Sequence, residues 1–477
     1  MEAPSHIAIV GGGISGLSAA HYLARYRPEL DVTVLEKDRR LGGKVVTERI
    51  NGFVVEGGPD SFLSSKPRGV GLATELGLEA RLQGTDESKR RTWVMSEGTL
   101  HRLPEGLSGL VPSRLEPLLE SDLFSPAGKE RLMQEPLIAV RHGDDDESLA
   151  SFIGRRFGRE VYDRMIEPLM AGIYAGDGEQ LSLAATFPQL RQLELKYGSL
   201  MTGMLAAGSS ASTQPARPAF LTPVGGTGEL IEALSLSIPE GRIRTRAGVR
   251  SVRESDAGFV LLLEDDSRLL AEAVILATPA DVAGKLVAEL DGTIAEALGS
   301  IPHVSSATVS LAYPSAHVPK ALEGYGYVVP RQEGRPVLAG TWSSTKFRHR
   351  APENWTLVRL FIGRSGMEDA IEGTDSDLIE IAREEVAQVL ECRDAPIVQR
   401  VFRWVRGMPQ YTMGHLDRLA RVHEHLADHP GLFVAGNFLQ GVGLPDCIAT
   451  GERAAEAASV HARSIGFEPS GQSGDRR

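Results

Sequence analysis

Four groups of residues in this chain have the types and spacing to do chemistry. Gly11-Gly12-Gly13-Ile14-Ser15-Gly16 fits G-x-G-x-x-G, and the acid Glu36 lies 20 residues past the last glycine (36 − 16). In a strand–turn–helix setting, Gly11 would permit the tight turn. Gly13 would let a pyrophosphate approach the backbone, and Gly16 would let helix and strand pack closely. Free N–H groups at Ile14 and Ser15 would face phosphate. Glu36 would accept from a ribose hydroxyl, and an acid there disfavours a 2′-phosphate. The second group is Gly42-Gly43, bracketed by Lys37 and Lys44. The third is Gly57-Gly58-Pro59-Asp60, with Lys66 soon after. Such glycine pairs suit backbone pressed against a flat or phosphate-bearing ligand, although tight turns alone would need the same residues. The fourth is Gly436-Asn437 followed by Gly441-Val442-Gly443-Leu444.

The elements that must position these groups are readable in part. Ile7 to Val10 is a buried strand; Leu17, Ala20, Leu23 and Ala24 recur at helical spacing; Val32 to Leu35 is a second strand. Asn51-Gly52 between Val45–Ile50 and Phe53–Val55 signals a hairpin. Ser96-Glu97-Gly98 between Arg91–Met95 and Leu100–Leu103 signals another. From Leu115 to Met204 the pattern is mainly helical. Asp146 is positioned to cap a helix starting near Glu147, and Gly172 to Gly178 reads as a loop. Gly208 to Pro218 reads as a flexible connection. The turn Gly225 to Gly228 precedes a helix at Glu229–Ser235. Strands are expected at Ile243–Val252, Phe259–Leu263 and Ala273–Ala277, the last returning to the first sheet and Val249 lying beside the nucleotide. Ala307–Ala312, Gly326–Val329, Val337–Thr341 and Thr356–Ile362 suggest a second, antiparallel sheet, followed by an amphipathic helix at Leu378–Leu390 and another strand at Val398–Trp404. Leu432 to Asn437 is a buried strand ending in Gly436-Asn437, and after the glycine loop a helix follows to about Arg463. The tail from Ser464 is polar and expected to be disordered.

Composition excludes several classes. At 477 residues the chain needs two or three domains. A net charge of −12 argues against nucleic acid, so an anionic ligand would have to meet local Lys and Arg. The two cysteines, Cys392 and Cys447, form no disulfide framework or metal motif and fit a reducing cytoplasm. No secretory signal and no transmembrane span is expected.

The glycine motif does not separate NAD from FAD. The recurrence of strand–loop–helix units near residues 245 and 432–460 favours an extended FAD, with its isoalloxazine near the last unit. A helix N-terminus at Val442–Asp446 would stabilise negative charge on a reduced flavin. Here HIAIVGGGISGLSAAHYL, LEKDRRLGGKV, EGGPDSFLSSKP, GIYAGDGEQLSLAATFP and LFVAGNFLQGVGLPDCI, with Arg403-Trp404 and Met408-Pro409-Gln410-Tyr411, resemble the oxygen-dependent porphyrinogen oxidases of haem synthesis, within the flavin amine oxidase superfamily.

The resemblance implies an α/β fold with three parts. A Rossmann-like FAD-binding domain would comprise residues 1–85, 216–300 and 415–463. Residues 86–215 would form a mainly helical, membrane-facing domain and 301–414 a β-rich substrate domain, before a tail at 464–477. It implies FAD held by Gly11, Gly13, Ile14, Ser15, Gly16, Glu36, Lys37, Gly42, Gly43, Lys44, Gly57, Gly58, Pro59, Asp60, Val249, Ala277, Gly436, Asn437, Gly441, Val442, Gly443 and Leu444. Substrate would meet Lys66 through a carboxylate, the Gly172 carbonyl at the pyrroles, and a pocket of Tyr325, Gly326, Val328, Leu338 and Phe361. Lys66 departs from the Arg of many protoporphyrinogen oxidases and matches coproporphyrinogen-type relatives. The reaction would take six electrons from a porphyrinogen, with O2 as acceptor and H2O2 as product. No catalytic side chain or metal is expected, and His303 and His415 are read as structural. The resemblance also implies a cytoplasmic monomer or homodimer with peripheral contact to the inner face of the cell membrane, passing porphyrin to the next haem-pathway enzyme. An amine oxidase, a carotenoid desaturase or a non-catalytic binding protein would share the fold.

Overall fold

The structure, a computed structural model, describes residues 6–108, 111–112, 114–143, 145–208, 218–320 and 322–464. The connection expected between Gly208 and Pro218 and the tail expected from Ser464 fall almost wholly outside these residues. Strand β1 (His6–Val10) turns through the glycines into helix α1 (Ile14–Tyr26), and β2 (Asp31–Glu36) returns beside β1 in parallel. Ile7, Ala8 and Ile9 are buried because β1 is central in a sheet covered on both faces. That sheet has five parallel strands in the order 243–245, 31–36, 6–10, 273–276, 432–434. Chain order across it is therefore 3-2-1-4-5. The switch between neighbours of β1 places the crevice at the carboxyl ends of the strands, where the glycines lie.

Helix α1 packs against the helix Leu444–Ser464 through small residues. Ala19 and Ala20 face Ala454, Ala455 and Ala458 in one core. At Gly451 an added Cβ would overlap the Ser15 carbonyl, so the two helices touch backbone to backbone. This contact sets the last glycine loop beside the first. Strands β3 (Thr47–Ile50) and β4 (Phe53–Glu56) form the expected hairpin, and Asn51 and Gly52 both adopt positive φ (50° and 81°), as a type I′ turn requires.

The second sheet has seven strands in the order 398–409, 303–314, 355–362, 337–342, 326–328, 92–96, 99–102. All neighbours are antiparallel except 326–328 with 92–96. The hairpin Thr92–Arg102 thus completes this second sheet, although the division expected from the sequence placed it with the helical part. Helix Asp375–Leu390 covers one face of the sheet, and the helical region 116–208 covers the other.

Three local expectations are corrected. The helix expected to start near Glu147 runs from Leu149 to Phe157, and Ser148 caps it by accepting from the Ser151 N–H. Asp146 instead accepts from Glu147 and Ala184 N–H, tying two segments together. Gly172 lies inside a helix, Glu167–Tyr174, which ends only where Ala175 turns to φ 49°. Tertiary packing of Met170, Ala171 and Tyr174 carries the helix through the glycine. The stretch Ile243–Val252 is two strands broken at Arg246 (φ 54°): Ile243–Thr245 joins the parallel sheet, and Val249–Ser255 starts a separate three-stranded meander.

Glu167 fastens the 167–174 helix to the substrate sheet. It accepts from Arg364 Nη1 (3.0 Å) and the Arg331 N–H (3.0 Å), and Arg364 Nη2 donates to the Val329 carbonyl. The side chains are 6% and 2% exposed, so neither charge has water as an alternative partner. Glu167→Ala strands the Arg364 cation, and we expect a loss of about 3–5 kcal/mol of stability in urea melts; a loss below about 1 kcal/mol would refute this account of the junction.

Candidate functional site

The first glycine turn is built by exclusion. A Cβ at Gly11 would press on the Ala277 carbonyl, and one at Gly16 would overlap the Gly11 carbonyl and crowd Ala277. At Gly13, the N-cap of α1, a Cβ would meet nothing within 4 Å. No side chain caps α1 and its first turn holds no acid, so the N–H groups at Ile14, Ser15 and Gly16 open onto free space. Glu36 is buried, accepting from the Gly12 N–H (2.7 Å) and the Asp38 N–H (2.8 Å). Its carboxylate therefore lies against the glycine turn, at the end of the strand next to β1. The Ala247 N–H donates to the Glu36 carbonyl, which brings the chain leading into Val249 to this edge. Lys37 is exposed and points outward from it.

Gly42 and Gly43 take φ of 98° and 55°, and the Gly42 N–H donates to the Gly12 carbonyl, so this turn wraps the first one. Lys44 follows with no hydrogen-bond partner among the described residues. Burial lowers its pKa, and the nearby Cys447 and Asp281 pull it back up. A Cβ at Gly58 would overlap the Lys44 carbonyl. The Gly57 carbonyl accepts from Thr308 Oγ1 (3.0 Å), Arg359 Nη2 (3.1 Å) and Trp404 Nε1 (2.8 Å). Pro59 accepts at its carbonyl from Thr227 Oγ1. Asp60 pairs with Lys346 Nζ (2.8 Å). Burial would raise its pKa, but Lys346 and Arg359 hold the carboxyl well below its usual range. Asp60 thus anchors the loop through its side chain, leaving ligand contact to the backbone. Trp404 and Arg359 had no spacing signal for this role, since they reach residue 57 from 347 and 302 positions away.

The third part is an apolar wall. Val328 and Leu338 share one buried cluster with Met170 and Tyr174, and Phe361 and Val442 pack against it. Residue 172 of the helix stands opposite Val328, 4.0 Å from an added Cβ to the Val328 side chain. The structure so brings together Gly172, Val328, Leu338, Phe361 and Val442 from five segments. Gly326 (φ 143°) is buried hard against the Gly340 carbonyl, where no Cβ fits. Tyr325 is not part of this cluster: its hydroxyl donates to the Asp86 carbonyl (3.2 Å). Helix Glu167–Tyr174 ends with the Gly172 carbonyl in its last turn, where intrahelical donors have run out.

The motif Gln410-Tyr411 ties the three parts. Gln410 Nε2 donates to the Tyr174 carbonyl (2.8 Å), and Tyr411 Oη to the Asn437 carbonyl (2.6 Å). The Ser182 N–H donates to the Tyr411 carbonyl, and the Gly436 N–H to Thr450 Oγ1. Gly441 (φ 81°) and Gly443 give way to the Asp446 carboxylate, which fills the loop. Lys66 Nζ lies 2.7 and 2.5 Å from its two oxygens. The residue expected to meet a substrate carboxylate is thus paired with an acid of the 444–464 helix. In the sequence Asp446 only closes the expected helix start Val442–Asp446, and no spacing links it to Lys66, 380 positions away.

The histidines, tyrosines and cysteine described here are held in their neutral forms. Burial pushes His415 down to about 4, and burial lowers His303 as well, so both stay neutral imidazoles near pH 7. Burial holds the phenols of Tyr174 and Tyr411 well above their usual value, and the Cys447 thiol up at about 11.

The model of the family "Flavin containing amine oxidoreductase" matches residues 14–459. The chain is 34% identical to the coproporphyrinogen III oxidase of Bacillus subtilis (strain 168), covering 96% of this chain and 99% of that one. It is 32% identical to the chloroplastic protoporphyrinogen oxidase of Oryza sativa subsp. japonica, over 94% and 87% of the two chains. The structure of a putative protoporphyrinogen oxidase from Exiguobacterium sp. 255-15 superposes with a TM-score of 0.86 at 31% identity, covering 96% and 99%. FAD fits the site: an uncapped helix start, open space at Gly13 and a buried ribose-side acid are what its pyrophosphate end requires. Gly13→Ala tests whether that space belongs to the ligand. With φ −76° and no neighbour, alanine fits the bare protein, so its melting temperature should hold, while FAD affinity, titrated by flavin fluorescence on apoprotein, should fall by about tenfold or more. Unchanged affinity would mean the pyrophosphate lies elsewhere.

Proposed function

The chain belongs to the flavin-containing amine oxidoreductases and, among them, to the porphyrinogen oxidases; it is an FAD oxidoreductase of porphyrinogens in haem biosynthesis, and from that premise we propose that its preferred reaction is coproporphyrinogen III to coproporphyrin III. Protoporphyrinogen IX to protoporphyrin IX is the second reading. The observation that carries the proposal is the apolar wall of Val328, Leu338, Phe361 and Val442 with a free helix-end carbonyl at Gly172 and a lysine at its rim. When bound, FAD supplies the two-electron acceptor chemistry, and its reoxidation by O2 gives H2O2 in each of three cycles.

The chain's own residues orient and exclude. The wall holds a flat, apolar macrocycle against the Val442 side of the pocket, and burying it removes water from the reacting carbon. A meso C–H between electron-rich pyrroles needs no strong base, which suits a pocket whose tyrosines, cysteine and histidines are all held neutral. The Gly172 carbonyl can accept a pyrrole N–H as that proton becomes acidic. An amine oxidase would instead need an amine-binding site at the reacting centre, and the one carboxylate placed at this rim, Asp446, is already taken by Lys66.

Among the described residues no helix is long and apolar enough to cross a membrane. What supports coproporphyrinogen III is Lys66 at the rim, since the substrate with four propionates offers it more carboxylates than the one with two. Comparing kcat/KM on the two porphyrinogens is the direct test: a ratio favouring protoporphyrinogen IX would reverse the preference, and no turnover of either would sink the reaction. Lys66→Ala should raise KM by about fivefold with FAD retained; equal KM for wild type and variant on both substrates would remove Lys66 from carboxylate binding.

A further inference from the structure

Lys66 does not wait empty for a ligand. Its ammonium is held by both oxygens of Asp446, at 2.7 and 2.5 Å. The pair joins two element starts. Lys66 is the N-cap of α2 (Pro67–Glu75), and Asp446 lies in the first turn of the 444–464 helix. The starts are fixed to each other by packing: a Cβ at Gly69 would come 3.0 Å from Pro445. Exposure is uneven, with the lysine side chain 42% open and the aspartate 18%. The carboxylate is walled in by Gly441 and Gly443, and faces the neutral phenols of Tyr174 and Tyr411 and the neutral Cys447 thiol. The cation is open toward water on its other side.

Resting on the porphyrinogen reading above, we propose that Asp446 is a specificity-determining residue: its carboxylate is the resident partner of Lys66, and a substrate carboxylate docks by taking its share of that ammonium. A half-exposed ion pair is worth little, because water and salt compete for both charges. Exchange is therefore cheap, yet it must be won. A neutral ligand gains nothing from the paired lysine, whereas a propionate regains the whole interaction. Asp446 thereby sets how strongly the site discriminates by carboxylate, without touching the reacting carbon. It also keeps the start of the 444–464 helix electrically neutral while no substrate is bound.

The test compares wild type, Asp446→Asn, Lys66→Ala and the double variant, with coproporphyrinogen III and protoporphyrinogen IX at low and high ionic strength. FAD affinity of each apoprotein is titrated in parallel. Asp446→Asn frees the ammonium, so KM should fall about two- to fivefold, more than kcat changes, with FAD affinity retained. The gain should vanish in the Lys66→Ala background and at high salt. An unchanged or raised KM in Asp446→Asn, or an equal gain without Lys66, overturns the inference while leaving the proposed reaction standing. Wild type that oxidises neither porphyrinogen overturns both.

Discussion

One carbonyl oxygen, that of Gly57, holds the two halves of the site in register. It accepts from Thr308, Arg359 and Trp404, which come from three neighbouring strands of the substrate sheet, while Gly57 itself follows the hairpin of the nucleotide unit. Two neutral donors at about 0.5–1.5 kcal/mol each and one charged donor at about 1.5–3 kcal/mol make this a strong point of attachment for a single atom. Its consequences run in both directions. Toward the cofactor, it presses Gly58 onto the Lys44 carbonyl, where no Cβ fits. Toward the substrate, Arg359 stacks on Phe361, 4.7 Å from guanidinium carbon to ring centre, so the loop that meets the dinucleotide and the ring that walls the pocket share one support.

Burying that guanidinium is costly, and the surrounding charges show how the cost is met. Arg359 is 3% exposed and donates Nη2 to two backbone carbonyls, Gly57 and Gly58, rather than to a carboxylate. Burial lowers its pKa, with Asp60 and Glu56 opposing that and Arg350 adding to it. Glu56 pairs with Arg350, and Asp60 with Lys346. Three cations thus stand against two carboxylates, and a chain of net charge −12 keeps a local excess of positive charge under its cofactor loop. Removing either carboxylate would leave the network with a larger unpaired charge than it can solvate.

What was legible in the chain was what is local. The turn Gly11–Gly16, α1, β2 and Glu36 lie within one strand–helix–strand unit, so spacing alone placed them, and Asn51-Gly52 carried its hairpin because only positive-φ residues close a two-residue turn. Gly172 misled because its conformational preference was read without Met170 and Tyr174, whose burial carries the helix past it. The strand Thr92–Ser96 was grouped with the helices that follow it, since parallel pairing with Gly326–Val328 spans more than two hundred residues and leaves no local trace. Tyr325 was placed in the pocket by resemblance, but its hydroxyl finds a nearer acceptor at Asp86. Lys66 was recognisable as a cation near the site; its partner 380 residues away was not.

The same distance dependence explains why the catalytic function is written in so few side chains. Around the wall the phenols of Tyr174 and Tyr411 and the Cys447 thiol stay protonated, the His415 imidazole stays unprotonated, and Lys66 and Asp446 pair with each other. In such a pocket the oriented polar group is a backbone one, the carbonyl at Gly172, and the start of the 444–464 helix adds the positive end of its dipole. Backbone groups carry no residue code, so their roles depend on where helices end and begin, and those boundaries depend on packing between segments distant in the chain. A macrocycle whose body is apolar and whose charges sit at its rim matches this field: it needs a dry, neutral wall to lie against and one exchangeable cation at the edge.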